Sequence, residues 1–144
     1  MSSVNNHSVH GIGYQLKRAQ HALRMRMDDG LRPLGLTTPQ YAVLSQLESR
    51  PGISNAALAR ASFVTAQSMH GIVSNLERSG LVARQPDPLH GRILCAELTP
   101  KGVGAVAQAH QLIAEVERSM MCSFNVKESS QFKKMLIECI HNLH

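Results

Sequence analysis

Between Thr65 and Gly80 the chain spaces short, uncharged hydrogen-bonding side chains at helical intervals. Met69, Ile72, Val73 and Leu76 share one face of the implied helix. That leaves Gln67, His70, Gly71, Ser74 and Arg78 on the opposite face, flanked by Ser68 and Asn75. Thr65 stands where a helix cap is needed, and Gly80 where a left-handed stop is needed. Amides, hydroxyls and an imidazole on an outward face can hydrogen-bond base edges, and Gln and Asn pair with adenine in two-point fashion. On a lone helix the weaker alternative is an ordinary solvated face. A second group, Arg84, His90 and Arg92, is cationic and follows within a predicted hairpin. Arginine so placed can sit beside phosphates or enter a narrow, electronegative minor groove.

These groups need elements to hold them. Ser54 is a good cap for a short helix with Ala57, Leu58 and Ala61 on one stripe, and Ser62 and Phe63 interrupt that stripe before Thr65. Beyond Gly80, Leu81 to Arg84 reads as a strand and Ile93 to Leu98 as its partner. The connection from Gln85 to Arg92 holds Pro86, Pro88 and Gly91, residues that stop a ladder and turn the chain. Helix, turn, helix and charged hairpin make a shape suited to the grooves and backbone of duplex DNA.

The flanks read as helices. From about Val9 to Gly30 an amphipathic helix carries Ile12, Leu16, Ala19, Leu23 and Met27 on one stripe, and Pro33 and Gly35 break it. Thr38 is expected to cap the next helix, with Pro39 in its first turn and Tyr41, Leu44 and Leu47 pointing inward. Thr99 and Pro100 open a long helix to about Cys122, striped by Val103, Val106, Ile113, Val116 and Met120. A last helix, about Lys127 to Asn142, carries Phe132, Leu136, Cys139 and Ile140. The first and the last two helices hold more apolar surface than a small lobe needs, which predicts pairing across a two-fold axis.

The segment resembles the winged helix-turn-helix of the MarR (multiple antibiotic resistance regulator) family. The matching residues are Ala57-Leu58-Ala59, Leu76-Glu77-Arg78-Ser79-Gly80-Leu81-Val82, Arg84, Asp87-Pro88, Gly91-Arg92 and Leu98-Thr99-Pro100-Lys101-Gly102. The flanking helices fit the same family, so the likeness covers the whole chain. It implies a mainly α fold with a small β-hairpin and one domain over residues 1–144. Residues of about 37–99 would form the winged helix-turn-helix lobe, and about 9–30 and 100–143 the dimerisation helices. It implies a homodimeric, ligand-responsive repressor that reads a pseudo-palindromic duplex. Thr65, Gln67, Ser68, His70, Ser74 and Asn75 would serve the recognition helix, and Arg84, His90 and Arg92 the wing. A small aromatic or phenolic effector is implied between the dimer helices and the lobe, where His21, Arg24 and Met25 are the candidate contacts. One departure stands out: the family's wing usually carries Asp-x-Arg, and here His90 replaces the acid that orients the arginine, with Asp87 three residues earlier. Peroxide-sensing members use a cysteine near the N-terminus, and this chain has none there. Two rival readings are a winged helix used for protein–protein contact and a non-specific architectural DNA binder.

Composition agrees. A chain of 144 residues is one domain's worth, and with 3% aromatic residues and no Trp its core must come from aliphatic side chains and Met, which suits packed helices. A net charge of +5 favours a polyanionic partner. No apolar run approaches the ~20 residues that cross a bilayer, and Met1 to His10 lacks the apolar core of a secretory signal. The expected location is the cytoplasm. Eight histidines offer no metal-ligand spacing, and Cys95, Cys122 and Cys139 lie far apart, with buried, inert thiols as the default. Ser130 and Lys133 fit Ser-x-x-Lys without companion motifs, so neither an enzyme nor a cofactor is expected.

Overall fold

Five of the six α-helices begin where a side chain satisfies their first amide groups, the exception being the first, which follows Gly11. The computed structural model describes residues 11–86, 89 and 94–144. Helix α1 spans Ile12–Leu31, a 3-10 turn covers Arg32–Leu34, and α2 spans Thr38–Ser49. Helices α3 (Asn55–Ala61) and α4 (Ala66–Arg78) form the helix-turn-helix, strands β1 (Val82–Pro86) and β2 (Leu94–Leu98) the hairpin, and α5 (Pro100–Met120) and α6 (Val126–Asn142) the C-terminal arm. Ser54, Thr65 and Thr99 cap α3, α4 and α5 through their hydroxyls as expected. Asn125 and Glu128 close a capping box at α6.

The cap of α2 differs from expectation. Thr37, not Thr38, caps that helix, exchanging backbone-to-side-chain bonds with Gln40. Thr38 instead donates from its hydroxyl and its amide to Asp28 at 2.5 and 3.1 Å, tying α1 to α2. The strand boundary also shifts. Antiparallel pairing runs from Val82 opposite Leu98 through Pro86 opposite Leu94, so Gln85 and Pro86 belong to β1 rather than to the connection. A proline is tolerated there because it stands at the last position of an edge strand, where no ladder N–H is required of it.

The core lies under the helix-turn-helix. Leu31, Val43, Leu44, Leu58, Leu76 and Val106 are fully buried, joined by Met69, Val73, Leu81, Val82, Ala96, Ala109 and Ile113. Helix α6 buries nothing, and Cys139, expected on a buried face, is exposed, as is Cys122; Cys95 alone of the three is buried. In the α1 and α5 stripes Ile12, Leu16, Val103 and Met120 are likewise exposed. Among the described residues no helix is long and apolar enough to cross a membrane, and no group of His, Cys, Asp and Glu could hold a metal ion.

Candidate nucleic-acid interface

Helix α4 stands between the lobe's core and solvent. Met69, Val73 and Leu76 are buried beneath it, while Gln67, Ser68, His70, Gly71 and Asn75 are exposed. Thr65 serves its start twice: Oγ1 accepts from the Ser68 amide at 3.0 Å and donates to Ser68 Oγ at 2.9 Å. The Gln67 side chain makes no hydrogen bond among the described residues, and its amide is exposed. Asn75 differs, because Arg78 one turn on donates to its Oδ1. Two-point pairing of Asn75 with a base would have to use the second lone pair of that oxygen or displace Arg78. A Cβ added at Gly71 would meet nothing within 4 Å, so the fold itself does not demand glycine there.

The hairpin braces this helix. Arg84 on β1 donates from Nη2 to Ser74 Oγ at 3.0 Å, and its Nε lies 3.5 Å from Glu77 Oε2. With its side chain only 27% exposed, Arg84 lies against α4 rather than reaching outward. Ser74 and Arg84, placed by sequence on helix and wing respectively, are thus brought into direct contact. Arg84 and His70 also meet Asn55, Ala56, Met69 and Val73 around a small cleft of about 110 Å³ between α3, α4 and β1. His90 and Arg92 lie outside the described residues.

Behind the helix the two most recognisable sequence stretches lock together. Gly80, with φ 75°, ends α4. Thr99 Oγ1 donates to the Gly80 carbonyl at 2.6 Å, the Thr99 amide donates to the Leu81 carbonyl at 3.1 Å, and Lys101 Nζ donates to the Ser79 carbonyl at 3.0 Å. Gly102 passes so close that an added Cβ would lie 2.0 Å from the Leu81 carbonyl oxygen. The "LERSGLV" and "LTPKG" segments are therefore two sides of one joint, which carries the end of the recognition helix into the start of α5.

A polar relay that spacing did not single out links α2 to α5. Glu48 Oε1 lies 2.9 Å from His110 Nε2, which donates to it, and the Tyr41 hydroxyl lies 2.7 Å from Nδ1, which accepts from it when the imidazole is neutral. The two rings meet edge to face, with centroids 5.4 Å apart. Burial raises the Tyr41 phenol above its ordinary value. His110 lies 62 and 69 positions from Glu48 and Tyr41 in the chain, so no local pattern could pair it with them.

The candidate effector residues do not form one site in this chain. His21, Arg24 and Met25 are all exposed. Arg24 lies 4.0 Å from Asp28 and, with Asp28, Arg32, Leu36, Thr37 and Pro39, lines a groove of about 440 Å³ that His21 and Met25 do not reach. The Thr38 hydroxyl bonded to Asp28 holds that carboxyl below its ordinary value.

Comparison with known proteins agrees with this architecture. The sequence profile of the MarR family matches residues 34–93. The HTH-type transcriptional repressor Rv2887 of Mycobacterium tuberculosis is 35% identical over 125 residues, covering 87% of this chain and 90% of the relative. The crystal structure of that protein with DNA has a TM-score of 0.76 at 32% identity, covering 90% of this chain and 97% of the other. Its complex with salicylic acid has a TM-score of 0.75 at 34% identity, with 90% and 96% covered.

Proposed function

This chain belongs to the MarR family of regulators, and on that premise we propose that it is a cytoplasmic, homodimeric repressor that reads a pseudo-palindromic duplex and acts by binding alone. The observation that carries the reading is α4: thirteen residues with a buried apolar face, an exposed polar face and a hairpin braced against it. Gln67, Ser68, His70 and Asn75 face the major groove, and Thr65 with the first amides of α4 meets a phosphate. Ser74 and Arg84 set the helix against the wing, and Arg92 and His90 hold the backbone or minor groove. Exposed apolar residues on α6, among them Phe132, Met135 and Ile140, supply the surface that a second copy covers, placing two recognition helices about 34–36 Å apart.

The test is selection of duplexes from a randomised library, followed by anisotropy titration against the selected and a random duplex at two salt concentrations. Selective, salt-dependent binding is expected. Equal affinity for both duplexes would favour an architectural binder, and no binding would favour a protein-contact module. Arg92→Ala should weaken binding to all duplexes and flatten the salt slope by about one. Gln67→Ala should cost ~1–3 kcal/mol and relax sequence preference.

For the effector we propose a small aromatic carboxylate. The supporting observations are the salicylic and p-aminosalicylic acid complexes of Rv2887 and the two arginines, Arg24 and Arg32, on one groove of this chain. His21 and Met25, on exposed turns of the same helix, come into play where the dimer closes over it. Such a ligand shifts the population of lobe spacings that fit DNA. Calorimetry with salicylate should show heat and a loss of duplex affinity; neither heat nor loss would exclude this class.

A further inference from the structure

Phe63 combines two features that are each unfavourable to a fold. It sits just past the C-cap of α3 with φ 57°, and it is 95% exposed. Its amide donates to the Arg60 carbonyl at 3.2 Å, and the Val64 amide donates to the Ala59 carbonyl at 3.0 Å. Those two bonds define a helix stop whose left-handed position is usually glycine, sometimes asparagine. A bulky side chain there is an outlier, and either small residue would keep both bonds without the strain.

Its surroundings supply a reason for the ring. Phe63 lies two residues before Thr65, within about 7 Å of the start of α4 along the chain. The exposed groups around that start, Thr65, Gln67 and Ser68, are polar. Between Arg26 and Pro86 Phe63 is the one exposed large apolar side chain among the described residues. A protein partner of ordinary size needs a contiguous apolar patch, and this stretch of chain adds no second exposed large apolar side chain to the ring. A duplex does offer isolated apolar targets, namely thymine methyl groups and sugar C–H surface.

We propose that Phe63 is a DNA-contacting residue of the α3–α4 turn, its ring packing on the apolar C–H surface of the duplex beside the groove that α4 enters. The proposal rests on the DNA-binding reading above. The test compares full-length wild-type, F63G, F63N and F63Y proteins on a duplex selected by the wild type, at two salt concentrations, with thermal unfolding of each. F63G and F63N should melt about 2–8 °C higher, because the left-handed strain is gone. Both should bind about tenfold more weakly with an unchanged salt slope, since an apolar contact releases no counterions. F63Y should stay within about twofold of wild type. Deoxyuridine in place of thymidine separates the two targets: a fall in wild-type affinity that F63G lacks assigns the methyl group, and no fall assigns the sugar. Equal binding by F63G and F63N, or a lower melting temperature in both, overturns the role of Phe63. A wild type that enriches no duplex instead overturns the reading beneath it.

Discussion

The lobe built from α2 to β2 and the terminal helix α6 begin alike and end differently. Both have well-made caps: Thr37 with Gln40 opens α2, and Asn125 with Glu128 opens α6. Yet α2, α3 and α4 bury Val43, Leu44, Leu58, Met69, Val73 and Leu76, while α6 buries no residue and leaves Phe132, Met135, Ile137 and Ile140 42–58% exposed. Capping is local and says where a helix starts; burial depends on what else is present. The lobe is completed by its own chain, whereas the described residues leave the apolar stripe of α6 largely exposed.

That contrast can be broken hardest at the lobe's joint. Gly102→Ala places a Cβ against the Leu81 carbonyl and should cost about 4 kcal/mol or more in chemical denaturation. A small loss would mean that the joint between α4 and α5 is looser than its bonds imply. Leu58→Ala, at a fully buried position, should cost about 2–5 kcal/mol whatever the protein concentration. Met135→Glu tests the other side of the comparison. It should leave secondary structure intact and abolish the concentration dependence of melting, about 2 kcal/mol of association or more, because a carboxylate enters an apolar interface. A variant that still sediments as a dimer would show that α6 is not the arm that pairs.

Smaller effects sharpen the boundary between lobe and arms. Tyr41→Phe removes the hydroxyl from His110 and should cost about 1 kcal/mol at neutral pH. Because burial raises the Tyr41 phenol, the folded state holds its proton longer than the unfolded chain. Stability from this group is therefore complete below the ordinary value of 10.0 and is lost as pH rises beyond it, a loss the Phe variant should lack. Asp28 has the opposite sign. Its carboxyl is held below 3.8 by the Thr38 hydroxyl, so its contribution is present above that value and disappears as pH falls through the lower, folded one. Asp28→Asn should flatten that part of the acid-denaturation curve while changing neutral stability least of the set.

Much of the lobe was legible because its signals are local. Ser54, Thr65, Gly80, Thr99 and Pro100 each act on residues within one turn, and the structure keeps every one of those boundaries. Thr38 misled because two adjacent threonines could both cap, and the choice was made by Asp28, ten residues away. Pro86 misled because a proline's place in a ladder depends on which edge its missing N–H faces. The inward turn of Arg84 was hidden for a related reason: Ser74 and Glu77 become its neighbours only after β1 folds back along α4.

By itself the sequence determined where α3, α4 and α5 begin, which face of α4 is polar, and the family likeness, since these follow from periodicity, capping and short motifs within single elements. Only the tertiary structure decided that Gly102 must be glycine, that Tyr41, His110 and Glu48 form a relay, that Arg84 braces the recognition helix, and that Phe63 stands strained and bare beside it. Each of those facts depends on which groups fold into van der Waals or hydrogen-bond range, and that is set by packing across the chain rather than by spacing along it.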